Sequence, residues 1–262
     1  MNILDAVRAH VQALREDARE GHIFQQSLSR AAQHQRFADH FLRNLLPHRF
    51  GFHVGQAFAA GEGFSAADSL LVCDHWHGMP LAGLMPCEFV YAVCEAHAVL
   101  DDARLRGALE NIAALKRLPR ARATAHDISP TQHLAVFGAR YAQLPDDTLN
   151  PYLGYIFAHT ADDPRVLHRA MRELFETRAL LPEHSPDAII CLRDGWMITR
   201  QTLSGNISVP RSSFARFGLW QVGDDLLTLV YLLLNVSLAQ IQLRGPDLLR
   251  VLENYTDQIR QR

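Results

Sequence analysis

Lysine is almost absent from this sequence. Of 26 lysine and arginine residues only Lys116 is a lysine, so no other residue could serve as a catalytic lysine. The 28 acidic residues outnumber the bases, and the formal net charge is -2. The chain therefore lacks the overall basic character of a typical nucleic-acid-binding protein. One local cluster, formed by Arg117, Arg120 and Arg122, could still contact DNA as a small basic patch.

Cysteine is also scarce, and none of the cysteines forms a Cys-x-x-Cys pair, which argues against a zinc knuckle. The four are Cys73, Cys87, Cys94 and Cys191. Three of them lie in apolar, strand-like runs, where a free cysteine behaves as a small buried hydrophobe. This usage is typical of a reducing compartment, so we expect a cytoplasmic protein.

Long apolar runs and several well-known catalytic motifs are missing. Residues 1–20 carry charges throughout, and the apolar run 226–234 is too short to span a bilayer. We therefore expect no membrane segment. The sequence contains neither a Gly-x-Ser-x-Gly elbow nor a phosphate-binding P-loop, so it does not support a serine hydrolase or a P-loop NTPase.

The hydrophobic pattern predicts an α/β fold. Hydrophobic residues make up 48 % and charged residues 21 % of the 262 residues, as in an ordinary globular protein. Helical spacing alternates with strand-like runs, which predicts a mixed central sheet flanked by helices, with extra N- and C-terminal helices. We predict one domain over 1–262. Its parts are an N-terminal helical extension at 1–32, a core at 33–200 and a C-terminal helical part at 201–262.

The first helix, predicted over residues 1–20, carries an apolar stripe at three- and four-residue spacing. Its members are Leu4, Val7, Val11, Leu14 and Ala18. Such a stripe most often packs on its own domain. The alternative is a seam between two copies of the chain, which would make the protein a homo-oligomer.

Two acidic residues and a histidine are placed on neighbouring predicted strands. Asp68 belongs to a strand at 67–74, and Glu95 and His97 lie two residues apart near the end of a strand at 89–97. Side chains two apart on a strand point the same way, so Glu95 and His97 share a face. If the strands pair, Asp68 can lie beside them. Two such carboxylates suit Mg²⁺, which can polarise a phosphate and activate a water.

These features resemble the PD-(D/E)xK nuclease superfamily, and more narrowly an uncharacterised bacterial family often encoded near phage-defence genes. The similar segments are 37–42, 45–51, 65–74, 94–97, 109–118 and 188–192. The resemblance implies that Asp68 and Glu95 are the metal-binding acids and that Asp39 takes the place of a helical acid. It also implies a restriction-endonuclease-like fold, and Mg²⁺ or Mn²⁺ as the cofactor of an active enzyme. His97 stands where the superfamily has its catalytic lysine.

The exchange of lysine for His97 changes the expected chemistry. Histidine is mostly neutral near pH 7, but two neighbouring carboxylates should favour its protonated form. Lys116, in the helix predicted over 101–118, could reach back to replace the missing lysine. Its alternative is a surface lysine with a buried stem.

Plainer interpretations exist for the other candidates as well. Asp68 could hydrogen-bond a loop, and Glu95 with His97 could form a buried ion pair. His75 and His77 have a His-x-His spacing that could bind a metal, although fourteen histidines make a chance pattern easy to obtain.

Two functional hypotheses follow. The first is a nuclease-fold protein with a degenerate site, acting as a non-catalytic binding, sensor or regulatory component of a bacterial defence or conflict system. Its partner would be a protein, a second copy of the chain, or DNA. The second is a divalent-metal-dependent DNA endonuclease using Asp68, Glu95 and His97, assisted by Asp39 and Lys116. The third alternative is a structural oligomerisation module built on the terminal helices.

Overall fold

The chain was analysed as a computed structural model. It describes residues 2–24, 28–59, 63–65, 69–74, 83–118, 152–177, 179–201, 205, 207, 216–239 and 241. Within these residues one mixed sheet runs through the fold. Its strands are β1 Phe50–Ala59, β2 Gly63–Phe64, β3 Ser69–Asp74, β4 Leu84–Pro86, β5 Val90–Leu100, β6 Leu153–Ala161, β7 Ala188–Cys191, β8 Trp196–Gln201 and β9 Arg216–Gln221.

The strands follow the order β2-β1-β3-β5-β6-β7-β8-β9, with β4 paired to β1. The central strands β5, β6 and β7 run parallel to one another, whereas β1, β3 and β5 on one side and β7, β8 and β9 on the other pair antiparallel. Parallel strands buried on both faces read as continuous apolar runs, as β6 and β7 do here. The predicted mixed sheet is confirmed.

Helices cover both faces of this sheet. They are α1 Ile3–Glu20, α2 Arg30–Phe37, α3 Arg43–Leu45, α4 Asp102–Lys116, α5 Pro164–Glu176 and α6 Leu226–Ala239. One hydrophobic cluster joins one face of the sheet to α1, α2, α3 and α6. A second cluster joins the opposite face to α4 and α5. The predicted α/β sandwich is therefore present, with helices from both ends of the chain on the same face.

Helices α2 and α3 form one nearly continuous rod, because a π-helical segment, Ala38–Leu42, joins them. The Ser29 side chain caps the rod at its start by accepting a hydrogen bond from the backbone of Ala32. Phe37, Phe41 and Leu45 are buried, and the Phe37 ring lies 4.9 Å from that of Phe157 on β6. This packing fixes the rod against the sheet.

Helix α1 packs on its own chain. Val11, Leu14 and Ala18 are buried, and α1 contacts α6. Arg8 forms an ion pair with Asp225, at 3.4 Å, just before α6. The interpretation of the stripe as a packing face is thus confirmed, and the seam between two copies stays a prediction.

Several boundaries differ from the sequence prediction. The apolar spacing predicts a helix over 33–46, whereas α2 starts at Arg30, three residues earlier, and β5 continues to Leu100, beyond the strand predicted at 89–97. Strand β9 lies inside the part predicted to be helical, at 201–262, and forms one edge of the sheet. The predicted closing helix at 246–260 lies outside the described residues. No helix among the described residues is long and apolar enough to cross a membrane.

All four cysteines are free and buried. Burial raises the pKa of the Cys73 thiol and of the Cys191 thiol to about 12 in each case. It also raises the pKa of Cys94, whose neighbour Glu95 adds to the effect. The prediction that these cysteines are buried is confirmed.

Candidate functional site

Glu95 is the centre of the candidate site. It lies on β5, opposite Ile156 of β6, and is fully buried. Its two oxygens are held by two helices. Arg30 of α2 donates from Nη2 to Oε2 at 2.6 Å, and Asn111 of α4 donates from Nδ2 to Oε1 at 3.2 Å. A buried carboxylate is tolerated only when it is paired and hydrogen-bonded, and Glu95 satisfies both conditions.

Two histidines approach the same oxygen of Glu95. His34 Nε2 lies 3.5 Å from Glu95 Oε2, and His97 Nε2 lies 3.8 Å from it. His34 comes from α2, one turn after Arg30, and His97 comes from β5 itself. The structure therefore brings the predicted pair Glu95 and His97 together, since their side chains share one face of β5.

The protonation of His97 differs from the expectation. The pKa of His97 is lowered to about 4: burial is the largest cause, Glu95 opposes it, and His34, Arg30 and Arg104 add to the lowering. His97 is consequently neutral at pH 7. Glu95 does favour the protonated form, as predicted, but the desolvation of a side chain only 14 % exposed outweighs it, so the expected protonated His97 is not found.

A pocket of about 540 Å³ opens beside this network. His97, Arg30 and Arg104 contribute its polar wall, and Gly107 and Ala108 of α4 contribute part of the rest. Arg104 is held by Asp101, which accepts from Arg104 Nη1 at 2.8 Å. Among the described residues that line the pocket none is acidic, so its charged groups are guanidinium groups.

The two strands that were expected to carry the acids do pair. Leu70 of β3 lies opposite Cys94 of β5, immediately before Glu95. Asp68 itself lies outside the described residues, and so do His75, His77, Arg120 and Arg122. Arg117 is described, as the exposed residue that ends α4. The basic patch and the role of Asp68 remain predictions.

Asp39 lies on the surface, away from the contacts of Glu95. It accepts from Gln35 Nε2 at 2.8 Å and from Arg43 Nη2 at 3.0 Å. Burial alone would raise its pKa, but Gln35 and Arg43 together outweigh this and hold the pKa of Asp39 below its usual value. In the part of the chain that the structure describes, Asp39 therefore acts in an ion pair on its own helix, and the structure does not bring it to Glu95.

Lys116 is fully buried and belongs to a second polar network. Its Nζ donates to Asp187 Oδ2 at 2.9 Å and to the Ser185 carbonyl oxygen at 2.8 Å. Arg200 of β8 donates from Nη1 to Asp187 Oδ1 at 3.2 Å, and the Gly154 backbone N–H donates to Oδ2 at 2.8 Å.

The pKa values within this second network follow its geometry. Burial raises the pKa of Asp187, yet Lys116 and Arg200 overcome it and hold that pKa below its usual range. Burial lowers the pKa of Lys116, and Asp187 only partly offsets this. The alternative of a surface lysine is wrong, because Lys116 is the buried counter-ion of Asp187. These contacts also direct its ammonium group to Asp187 and Ser185 rather than to Glu95.

Among the described residues, those around Glu95 do not by themselves form a metal site. No group of three or more His, Cys, Asp or Glu side chains within the described ranges is arranged to hold one. Both oxygens of Glu95 already accept hydrogen bonds, and Oε2 faces the positive charge of Arg30. A cation at Oε2 would have to displace that guanidinium group.

The sequence analysis missed Arg30, His34 and Asn111, the residues that complete the site. The first two stand four residues apart, the spacing of one helical face, directly after the Ser29 cap. Starting the predicted helix at Gln33 concealed that signal. Asn111 is one of the buried polar positions of α4, on a helix whose inner face is otherwise apolar.

Comparison with known proteins shows the fold and not the family. No family model and no curated protein matches the chain. Among solved structures, NucC of P. aeruginosa ATCC27853 in its cAAA-bound form is 16 % identical, with a TM-score of 0.62 over 98 % of this chain and 99 % of that chain.

NucC of E. coli MS115-1 matches in two forms. Its apo form is 17 % identical, with a TM-score of 0.60 over 94 % of this chain and 95 % of that chain. Its cAAA-bound form is also 17 % identical, with a TM-score of 0.57 over 94 % and 93 % of the two chains. NucC is a phage-defence nuclease of the PD-(D/E)xK superfamily. The fold expected from the sequence motifs is therefore confirmed: this chain has the restriction-endonuclease-like fold of NucC over nearly its whole length.

Proposed function

We propose that this chain is a nuclease-fold component of a bacterial defence system whose site binds a ligand without cutting it. The shared fold with NucC supports the nuclease-like origin and the defence setting. The observation that carries the loss of catalysis is the environment of Glu95. Its Oε2 pairs with Arg30 at 2.6 Å, where a catalytic metal would need a free carboxylate oxygen.

The neutral His97 points the same way. Phosphodiester cleavage builds negative charge on the phosphate, and a lysine at this position stabilises that charge as a permanent cation. A neutral imidazole with a pKa of about 4 supplies no positive charge near pH 7. Under this proposal, the Arg30 guanidinium group and a neutral imidazole take the places of the metal and of the lysine charge.

A second candidate function is a divalent-metal-dependent DNA endonuclease using Asp68, Glu95 and His97 with Mg²⁺ or Mn²⁺. One observation favours it: Arg30 is 39 % exposed and could leave Glu95 when a metal and DNA arrive, which would free Oε2. In that state Glu95 and His97 would face a pocket large enough for a phosphate group.

The cAAA-bound forms of NucC bear on how either activity should be tested. We extend the proposal to include a nucleotide trigger of this kind, so an assay without cAAA would not separate an inactive enzyme from an untriggered one. We also infer a cytoplasmic protein that acts with a protein partner or as a homo-oligomer.

Plasmid cleavage tests the proposal. Wild type, Glu95→Gln and Asp68→Ala are incubated with plasmid DNA and Mg²⁺ or Mn²⁺, each with and without cAAA. We expect no cleavage by wild type above the level of Glu95→Gln in any condition. Cleavage by wild type that both substitutions abolish, with all three proteins folded, would establish the endonuclease instead.

A further inference from the structure

Arg30 has an unusual position for a charged residue at the start of a helix. The Ser29 cap sets the beginning of α2, and from there Arg30 reaches Glu95, 65 residues away in sequence, at 2.6 Å. The carboxylate is fully buried, while the arginine side chain is 39 % exposed. One side of the guanidinium group therefore neutralises Glu95, and the rest faces the pocket.

A second guanidinium group lies on the same pocket wall. Arg104, in the first turn of α4, lines the pocket and is 52 % exposed. Asp101 and the Val99 carbonyl oxygen hold Arg104 Nη1 at 2.8 Å and 3.3 Å. His97 lies on the same wall, and its buried Nε2 makes no hydrogen bond with any residue that the structure describes. The pocket thus offers two cations and an imidazole.

We propose that Arg30 takes the place of the metal ion of the nuclease fold, so that this pocket binds a phosphate group without any metal. The inference rests on the proposed function, because it concerns the same site. A buried carboxylate needs a positive partner, and here a guanidinium group supplies it from within the chain. Guanidinium groups bind phosphate through paired N–H donors and keep their charge at all ordinary pH values.

The side chains of this pocket wall indicate the class of ligand that it binds. Arg30 and Arg104 suit the oxygens of a phosphate, and the uncharged part of the pocket beside Gly107 leaves space for the group that the phosphate carries. Such a phosphate could belong to a nucleic-acid backbone or to a free nucleotide. Both sources share the chemistry that Arg30 recognises.

Binding in the presence of EDTA tests the first half of the proposal. A short duplex DNA and inorganic pyrophosphate are titrated into wild type, Arg30→Gln, Arg104→Gln and, as control, Arg106→Gln. Arg106 lies on the same helix as Arg104 but pairs with Asp102 on the surface. We expect at least one probe to bind without metal, weakened about tenfold or more by the first two substitutions and unchanged by the third.

The two probes identify the source of the phosphate. Tighter binding of the duplex indicates a nucleic-acid ligand, and tighter binding of pyrophosphate indicates a free nucleotide. Binding of neither probe, or equal weakening by Arg106→Gln, overturns the proposal. Arg30→Lys keeps the charge but not the paired N–H donors, so it should bind less tightly than wild type and more tightly than Arg30→Gln, which distinguishes lost binding from a poorly folded Arg30→Gln.

Calorimetric titration of Mn²⁺ tests the second half. We expect no binding to wild type at Glu95, and binding to Arg30→Gln that the further change Glu95→Gln removes. Mn²⁺ binding by wild type that Glu95→Gln abolishes would overturn the inference, and this measurement needs no variant of Arg30. If that wild type also cuts plasmid DNA, the proposed function fails with it. If it binds Mn²⁺ and cuts nothing, only the inference about Arg30 fails.

Discussion

Whether His97 is neutral or protonated decides which side chains supply the positive charge of the candidate site. It stands between the acid Glu95 and the arginines Arg30 and Arg104, and all three influence its proton. The loss of hydration on burial is the largest effect, so the imidazole stays neutral where a lysine would be a cation. Near pH 7 the positive charge in this pocket therefore comes from the arginines.

This neutrality predicts a pH dependence of stability. The pKa of His97 is about 4 in the folded protein, whereas an unfolded histidine has a pKa of about 6.5. As the pH falls, the unfolded chain takes up the proton first. The stability that this residue contributes is complete above about pH 6.5 and is lost as the pH falls toward 4.

Between about pH 7.5 and pH 5, wild type should lose about 2 kcal/mol more unfolding free energy than His97→Gln, which cannot titrate there. Urea unfolding of both proteins at the two pH values measures the difference. Equal losses in the two proteins would mean that His97 is solvated or already protonated in the fold.

Residue-level prediction from the sequence succeeded where strand geometry was sufficient. Glu95 and His97 were identified by the alternation of β5, and the structure brings them together. Arg30 could not be identified in this way, because its partner is 65 residues away and contact depends on how α2 packs on the sheet. The role of Lys116 was predicted wrongly, because its position on the helix shows that it faces inward but does not show that Asp187 lies within hydrogen-bonding distance.

At the scale of elements, the close approach of α4 to β6 connects the site to the core. Helix α4 supplies Asn111 to Glu95 and Lys116 to Asp187, so its distance from the sheet matters for both networks. Gly154 of β6 permits that distance. A Cβ atom at Gly154 would lie 2.5 Å from Cγ2 of the buried Ile112 and 3.2 Å from Cε of Lys116.

Two glycine substitutions should therefore have opposite effects. Gly154→Ala should lower the unfolding free energy by about 1–3 kcal/mol, since buried Ile112 has little room to move. Gly107→Ala, inside α4, meets nothing within 4 Å and should raise it by about 0.5–1 kcal/mol through better helix propensity.

Thermal or urea unfolding of the two variants beside wild type gives the comparison. A neutral Gly154→Ala would mean that α4 can shift away from the sheet at little cost. In that case the hydrogen bond from Asn111 to Glu95 would not be fixed by packing.

Helices were predicted best where an N-terminal capping residue and a periodic apolar face occurred together. Asp101 caps α4 as expected, and the inward stripe of that helix is buried. Strand β9 was missed, although Trp196 to Gln201 of β8 pairs with all of it. Its sequence has no strong period, and its strand conformation comes from the hydrogen bonds of β8, which no local pattern displays.

Across the whole molecule, the Lys116–Asp187–Arg200 network joins distant parts of the chain. It connects the end of α4, the segment before β7, strand β8 and the backbone of β6 at Gly154. The ion pair between Lys116 and Asp187 is shielded from water, since the two side chains are 1 % and 6 % exposed. Removing one charge of such a pair leaves the other uncompensated.

Lys116→Met should therefore destabilise the protein by about 3–5 kcal/mol, even though methionine has a similar length. The control is Arg172→Gln, which removes an exposed pair with Glu176 and should change little. Urea unfolding monitored by circular dichroism measures both. A loss for Lys116→Met no larger than that of the control would show that the fold does not depend on this network.

The overall fold could be predicted from the sequence because the short motifs and the hydrophobic periodicity indicated the same α/β architecture. The mixed sheet and the flanking helices are present among the described residues, and the fold shared with NucC extends over nearly the full chain. The sequence could not predict which face of the sheet α1 and α6 cover, because the two helices are far apart in the chain and meet only in the folded protein.

Because all four thiols are buried, the rate at which they are chemically labelled can report local opening of the fold. Alkylating reagents attack the thiolate form; burial raises the pKa of Cys73, Cys94 and Cys191 and also keeps the reagent away from them. In the closed fold they are therefore inert at neutral pH. The sheet must open before Cys73 or Cys94 can be modified, so the rate of labelling records how often each part of the sheet is exposed to solvent.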